Sequence, residues 1–313
     1  MPEQFTENVE LTAISREYKN EEYTLVADEV LPEQQVDDEK FTYMTYPEAQ
    51  NFSVPDTRVG RRSAPNRVEL EGKEETGRTF DYAIDVPLDN RTIKAAEKRG
   101  WDPKAQAVGV STNIIKLDRE VRCHAFVSDP ANYSPNLVEA LSGSDMFSDP
   151  ASKPYEAIKD MMRSCLMRPN QLVFGSNIFD TLTVHPQLLK KVGRSINADG
   201  VLTEEDLAKL FKVKKVIVGE GRININRPGQ NATYHFVWDN IVAGHFIDRT
   251  ATPQIGGVTF GFTARHGQRI AGTVNVDMGV EGGVLVRAGE YVNEIGVASA
   301  AGFLLQNAQA SQT

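Results

Sequence analysis

The chain has 313 residues, of which 40% are hydrophobic and 25% charged, enough apolar material for one large domain or two modest ones. Its formal net charge of −9 argues against a sequence-independent nucleic-acid binder, which needs a net basic face. No apolar run approaches the about 18 residues of a membrane span, the acidic and polar start is not a secretory signal, and Cys123 and Cys165 make neither a disulfide framework nor a Cys-x-x-Cys metal site.

Residues 1–45 are polar, rich in carboxylates such as Glu29, Glu33, Asp37, Asp38 and Glu39, with only scattered apolar positions. Such a stretch buries little by itself, so it is either disordered or an arm ordered by docking on something else. Further on, 67–71 (Val68, Leu70) and 80–86 (Phe80, Tyr82, Ile84, Val86) alternate apolar and polar residues on either side of a glycine-bounded turn at 72–77. This pattern predicts a long β-hairpin. An isolated hairpin is marginal in water and needs another surface, such as a neighbouring subunit.

A long helix follows. Asp102 can cap it, Pro103 suits its first position, and Asp129-Pro130 ends it. Val108, Ile114, Ile115, Leu117, Val121, Ala125 and Phe126 recur near helical spacing. About 25 residues at 1.5 Å each give a rod of roughly 38 Å, longer than the usual globular helix. A second helix covers 152–168, with Ile158, Met161, Met162 and Cys165 facing inward, and Pro169 stops it. Next come a buried strand at Leu172–Phe174, a turn at Gly175 and a helix from Ser176 or Asn177. Helices at Pro186–Val192 and 204–211 precede a strand at 214–219, and 233–249 and 257–265 read as further strands. The glycine- and valine-rich remainder reads as short strands to Ala301, with a frayed tail from Gln306.

The candidate sites are weak. Residues 195–206 resemble a calcium loop, with Asn197, Asp199, Gly200 and Leu202 in place, but Ser195 stands where Asp is expected and Asp206 where Glu is expected. A polar turn leading to Thr203 as a helix cap, with Asp206 completing a capping box, explains the same residues better. None of His124, His185, His235, His245 and His266 forms a metal-binding pair, and structural roles suit all five. Asp118, Arg119 and Glu120 could be a charged cluster, but consecutive helical residues splay apart, so a solvated or interface face is expected. The basic cluster Arg58, Arg61, Arg62 and Arg67, followed by Lys73, Glu74, Glu75 and Arg78, has the mixed charge of a surface that pairs with another protein subunit. No catalytic residue, cofactor or metal is expected. An enzyme site assembled around His235, His245 and Asp239 is the rival from another class.

The order of these elements carries a resemblance. It runs through ProAspThrArgValGly (55–60), the charged hairpin, LeuAspArgGluVal (117–121), SerAspProAlaAsnTyr (128–133) and LeuSerGlySerAspMetPheSerAspPro (141–150). ProAsnGlnLeuValPheGlySerAsnIlePhe (169–179), LeuThrValHisPro (182–186) and LeuAlaLysLeuPheLysValLysLysValIleValGlyGlu (207–220) complete it. Across roughly 55–265 the chain resembles a tailed-bacteriophage major capsid protein of the Hong Kong 97 phage shell fold. The resemblance implies an α+β fold with an N-terminal arm (1–50), an extended β-hairpin loop (51–89), a peripheral domain with a long spine helix (90–144 and 246–290) and an axial domain (145–245 and 291–313). It implies self-assembly into pentamers and hexamers of an icosahedral head around double-stranded DNA, with no sequence-specific DNA contact and no membrane. A portal and possible decoration protein belong with it, and assembly would take place in the host bacterial cytoplasm. No helical scaffolding segment precedes the arm, so a separate scaffold protein is expected. Lys73 sits on the loop, but nothing marks an acceptor Asn or a catalytic Glu, so no covalent cross-link is expected. An encapsulin-like nanocompartment shell is the alternative within the same fold.

Overall fold

The structure, a computed structural model, describes residues 5–18, 24–45, 54, 56–61, 63–67, 72–193, 201–227, 229–251 and 257–309. Near the N-terminus, β1 (Thr6–Glu7) leads into α1 (Val9–Glu17), then α2 (Ala27–Val30) and β2 (Glu33–Val36). Asn8 starts α1 by accepting from the Glu10 and Leu11 amides at 2.9 and 3.1 Å. The segment docks on its own chain. Its few apolar residues are spent well, with Leu11, Val30 and Leu31 all buried in cores built by later elements.

The next strands correct the sequence reading. β3 (Lys40–Thr45) and β4 (Lys73–Arg78) form a two-stranded antiparallel ribbon, so 72–77 is mostly strand and its partner lies in the N-terminal segment. Val68 and Leu70 lie outside the described residues. β5 (Phe80–Asp89) has the expected alternation, but it pairs with a strand some two hundred residues later. Alternation specifies which face is buried and not which strand lies alongside.

After α3 (Asn90–Glu97) comes the rod, α4 (Pro103–Ser128). Asp102 accepts from the Lys104 and Ala105 amides at 2.9 and 3.2 Å, as its capping role requires. The buried stripe is Val108, Thr112, Ile115, Arg119, Cys123 and Val127, while Ile114 faces out. Beyond β6 (Val138–Ala140) are α5 (Pro154–Ser164), β7 (Gln171–Gly175), α6 (Ser176–Thr183), α7 (Pro186–Val192), α8 (Glu204–Phe211) and β8 (Lys215–Gly219). A small ribbon, β9 (Arg222–Asn224) with β10 (Tyr234–Phe236), precedes β11 (Ile241–His245). The expected strand at 233–249 is thus two short strands.

β12 (Gly261–Val276) and β13 (Gly283–Gly296) form one long antiparallel hairpin where short strands were expected, and β14 (Gly302–Gln306) closes the fold. Two five-stranded sheets result. The first has the order β1–β12–β13–β5, with β2 parallel to β12; the second has the order β6–β14–β11–β7–β8. Both faces of β7 are covered: Leu172 and Phe174 enter the core under α5–α8, and Val173 enters the core shared with α2 and α4. That explains its unbroken apolar run. The helix α4 lies on β5 and β13 and reaches β14 at its C-terminal end.

Candidate functional site

The β3–β4 ribbon is held at its base by aromatic packing. Phe41 and Tyr43 pack against the small core of Val36, Phe262, Ala264 and Ile295, and Tyr43 meets Phe262 edge-on at 6.4 Å. Gly77 lets the two strands close, since a Cβ there would lie 2.6 Å from Phe41 Cζ. Asn293 Nδ2 donates to the Arg78 carbonyl at 2.8 Å, tying β4 to the first sheet. Above this base the ribbon is polar. Lys73, Glu74 and Arg78 are exposed, Glu75 is half-buried, and Lys73 pairs with Glu75 along the same strand.

Arg58, Arg61 and Arg67 are exposed on the connection between β3 and β4; Arg62 lies outside the described residues. Asp56 shapes that connection by accepting from the Arg58 amide at 2.9 Å, and its carbonyl accepts from Asn66 Nδ2 at 2.7 Å. Lys73, Glu74, Glu75 and Arg78 therefore share one strand, while the three described arginines occupy the loop above it. No third strand joins the ribbon among the described residues.

A second polar feature lies inside. Arg119 and Glu120, expected on a solvated or interface face, are both buried. Arg119 reaches Asp28 at 2.9 Å and also Glu33. Glu33 is shared with Arg265, and Arg265 and Arg269 reach the buried Glu290 at 3.1 and 2.7 Å. Burial opposes the charge of Glu33, but Arg119 and Arg265 outweigh it and hold its pKa down at about 2. The same balance, with Arg269 as the main cation, lowers Glu290.

Among the described residues no cation pairs with Glu120. Its carboxylate accepts from the Val26 amide at 3.0 Å, the Ala27 amide at 2.8 Å and Trp238 Nε1. Burial pushes its pKa up despite these donors. As expected, Asp118, Arg119 and Glu120 do not converge, since Asp118 pairs outward with Arg122 at 3.0 Å. One signal in the sequence could have found Arg119: it falls on the same helical stripe as Ile115 and Cys123.

Three of the histidines take structural places. His185 caps α7 by accepting from the Gln187 amide at 3.2 Å, and His124 stands edge-on to Trp238 at 5.3 Å. His245 is fully buried, stacked on Phe260 at 4.2 Å, with Nε2 2.9 Å from the Tyr133 hydroxyl. That hydroxyl donates to the Val127 carbonyl at 2.8 Å, so Nε2 carries the imidazole proton. Burial pulls the His245 pKa down to about 3. His235 is exposed, and Asp239 accepts from Asn177 at 3.1 Å, so the rival catalytic grouping is not brought together. Of the calcium-like loop, 195–200 lies outside the described residues, and Thr203 and Asp206 form the expected capping box. No cluster of three or more His, Cys, Asp or Glu able to hold a metal is present among the described residues.

No family model matches the chain. A major capsid protein of Pseudomonas phage JBD67 is 38% identical over 303 residues, covering 96% of this chain and 97% of the relative. The chain belongs to the phage major capsid proteins. As a member of that family it is a structural protein of the capsid shell, and its fold is the Hong Kong 97 phage shell fold. A phage-related protein from Bordetella bronchiseptica has a TM-score of 0.74 at 20% identity, covering 97% of the capsid protein and 98% of its own chain. The holo-SrpI encapsulin of Synechococcus elongatus, at TM-score 0.56 and 8% identity over 91% of this chain and 88% of its own, shares the fold alone.

Proposed function

We propose that the chain assembles as pentamers and hexamers of an icosahedral phage head that encloses double-stranded DNA. The observation that carries this reading is the β3–β4 ribbon. A two-stranded ribbon with no third strand is marginal in water, and this one bears exposed charge of both signs. A neighbouring copy supplies the missing surface. Heterologous contacts of that kind close into rings, and many modest contacts act together in a shell.

We place the extended loop of the family around β3–β4; the sequence put it at 51–89, and β3, as the partner of β4, lies before that range. Arg58, Arg61, Arg62, Arg67, Lys73, Glu74, Glu75 and Arg78 are its subunit-interface candidates. The first sheet with α4 forms the peripheral domain and the second sheet with α5–α8 the axial domain. A separate scaffold protein and a portal are its partners during assembly in the host bacterial cytoplasm. With a net charge of −9, the wall repels DNA rather than binding it by sequence, and the chain has no catalytic role.

The double reversal Arg61→Glu, Arg62→Glu tests the loop. It leaves a folded subunit that forms no shells by light scattering and negative-stain microscopy, and normal shells from that variant refute the reading. The fold shared with an encapsulin favours a second reading as a nanocompartment. Purified shells holding a cargo peptide and no DNA would favour it.

A further inference from the structure

We propose that residues 24–36 form a latch, closed by Arg119 and Glu120, that ties the two sheets together across α4 and opens as one unit when the sheets change their relative angle. The coupling supposes, beyond the shell reading above, a shell that expands; the latch itself rests on contacts within one subunit.

The segment has little regular structure of its own, only the four-residue α2 and the four-residue β2. Its attachments run to three places at once. On the first sheet, β2 lies parallel to β12, the Thr263 amide donates to the Pro32 carbonyl at 3.0 Å, and Thr263 Oγ1 donates to the Leu31 carbonyl at 3.1 Å. On the second sheet, Gln171 Nε2 donates to the Val30 carbonyl at 3.0 Å, and Lys215 pairs with Glu29. On α4 between them, Arg119 holds Asp28 and Glu33 while Glu120 holds the Val26 and Ala27 amides. A change of angle between the sheets pulls on bonds of about 3 Å that tolerate only a few tenths of an ångström.

The clasp makes opening all-or-none. Both carboxylates that Arg119 pairs with, Asp28 and Glu33, belong to the segment, and so do two of the three donors to Glu120. Lifting the segment part-way leaves a buried guanidinium and a buried carboxylate without their main partners. They cannot replace those partners with each other, because consecutive helical positions point about 100° apart. A stranded buried charge is strongly unfavourable, so the stable states are the closed one and one in which water reaches both side chains. Val30 and Leu31, both fully buried, leave with the segment and add to the cooperativity.

Hydrogen exchange read by mass spectrometry on the full-length, unassembled chain tests the latch. Peptides from 24–36 exchange together, through one opening event at lower denaturant than β7 and β13. Exchange of 24–36 only with global unfolding, or at unrelated rates along the segment, overturns the proposal. Arg119→Met and Glu120→Leu each raise opening at 24–36 at least about tenfold and leave β7 and β13 unchanged. Uniform acceleration along the chain overturns the proposal, and the unsubstituted protein decides it should a variant fail to fold. Shells built from Arg119→Met expand on heating at a lower temperature than unsubstituted shells. Equal temperatures overturn the coupling to rearrangement, whereas an unsubstituted chain that forms no shells strikes the shell reading and leaves the exchange result standing.

Discussion

Gly77 offers a test in which one substitution changes sign with its neighbour. The residue sits in β4 with an extended backbone that alanine adopts without strain. In the unfolded chain, Gly→Ala removes conformational freedom and stabilises by about 0.4–1 kcal/mol. Against this, the new Cβ would stand 2.6 Å from Phe41 Cζ and 2.8 Å from Cε2, with Ile295 Cδ1 at 3.0 Å. Overpacking of that kind costs about 1–3 kcal/mol. Phe41 is half-buried, so its ring can swing outward, and the net loss for Gly77→Ala is about 1–2 kcal/mol. Leucine at position 41 lacks both ring-tip atoms. In the Phe41→Leu background, Gly77→Ala is therefore neutral or slightly stabilising, which gives a coupling of about 1–2.5 kcal/mol in the double-mutant cycle. Urea unfolding of the unassembled subunit measures all four corners, and the single variant should also lose about 2–4 °C in Tm. Additive effects, with the same loss from Gly77→Ala in both backgrounds, would refute the claim that Phe41 against Gly77 holds the ribbon base.

Two further outcomes follow from buried rings. A Cβ at Gly219 would lie 2.2 Å from Trp238 Cγ, and Trp238 is fully buried, so Gly219→Ala costs about 3 kcal/mol or more and shifts the emission of Trp238 to the red; unchanged emission counts against that contact. His245 is neutral in the folded chain down to about pH 3, whereas in the unfolded chain it takes up a proton near 6.5. Its contribution is thus fully present above pH 6.5 and is lost as pH falls toward 3, at no more than about 1.4 kcal/mol per pH unit. His245→Gln, which keeps a donor for Tyr133, flattens that part of the stability profile in urea titrations, and an unchanged slope refutes the assignment.

What the sequence revealed followed the range of its signals. Caps and prolines act locally, and Asp102-Pro103 and Asp129-Pro130 bound α4 where expected. Pro186 and Thr203 likewise start α7 and α8 where the residue pattern places them. Partner choice is non-local. The alternation of 80–86 shows one apolar face, but nothing in it points to 286–292 as the neighbouring strand. The long β12–β13 hairpin was hidden by its glycines, which read as strand breaks. At Gly272 a Cβ would meet the Thr6 carbonyl at 2.3 Å, so that glycine lets β1 lie alongside β12. Arg119 and Glu120 were missed because charged residues are seldom fully buried, and that expectation outweighed the stripe on which Arg119 falls. The mixed charge of Lys73, Glu74, Glu75 and Arg78 was legible, but the pairing of their strand with β3 was not.

The distribution of buried charge separates what must stay rigid from what can be rearranged. Under α5–α8, the core against the second sheet is mainly Leu, Phe, Ile, Val and Met, and among the described residues the buried charged ones, Arg119, Glu120, Arg265, Arg269 and Glu290, belong to α4, β12 and β13. Apolar packing is non-directional, so it holds the second sheet and its helices together without fixing how they meet another unit. An ion network adds little net stability, because desolvation offsets the attraction, but it accepts only one geometry. Placing it where α4, the first sheet and the N-terminal segment meet fixes their register at little cost in overall stability. A network of that kind also has a definite broken state, since its members are strongly hydrated once water enters. An apolar seam would instead slide through intermediate positions, whereas the network accepts one closed geometry and has one distinct broken state.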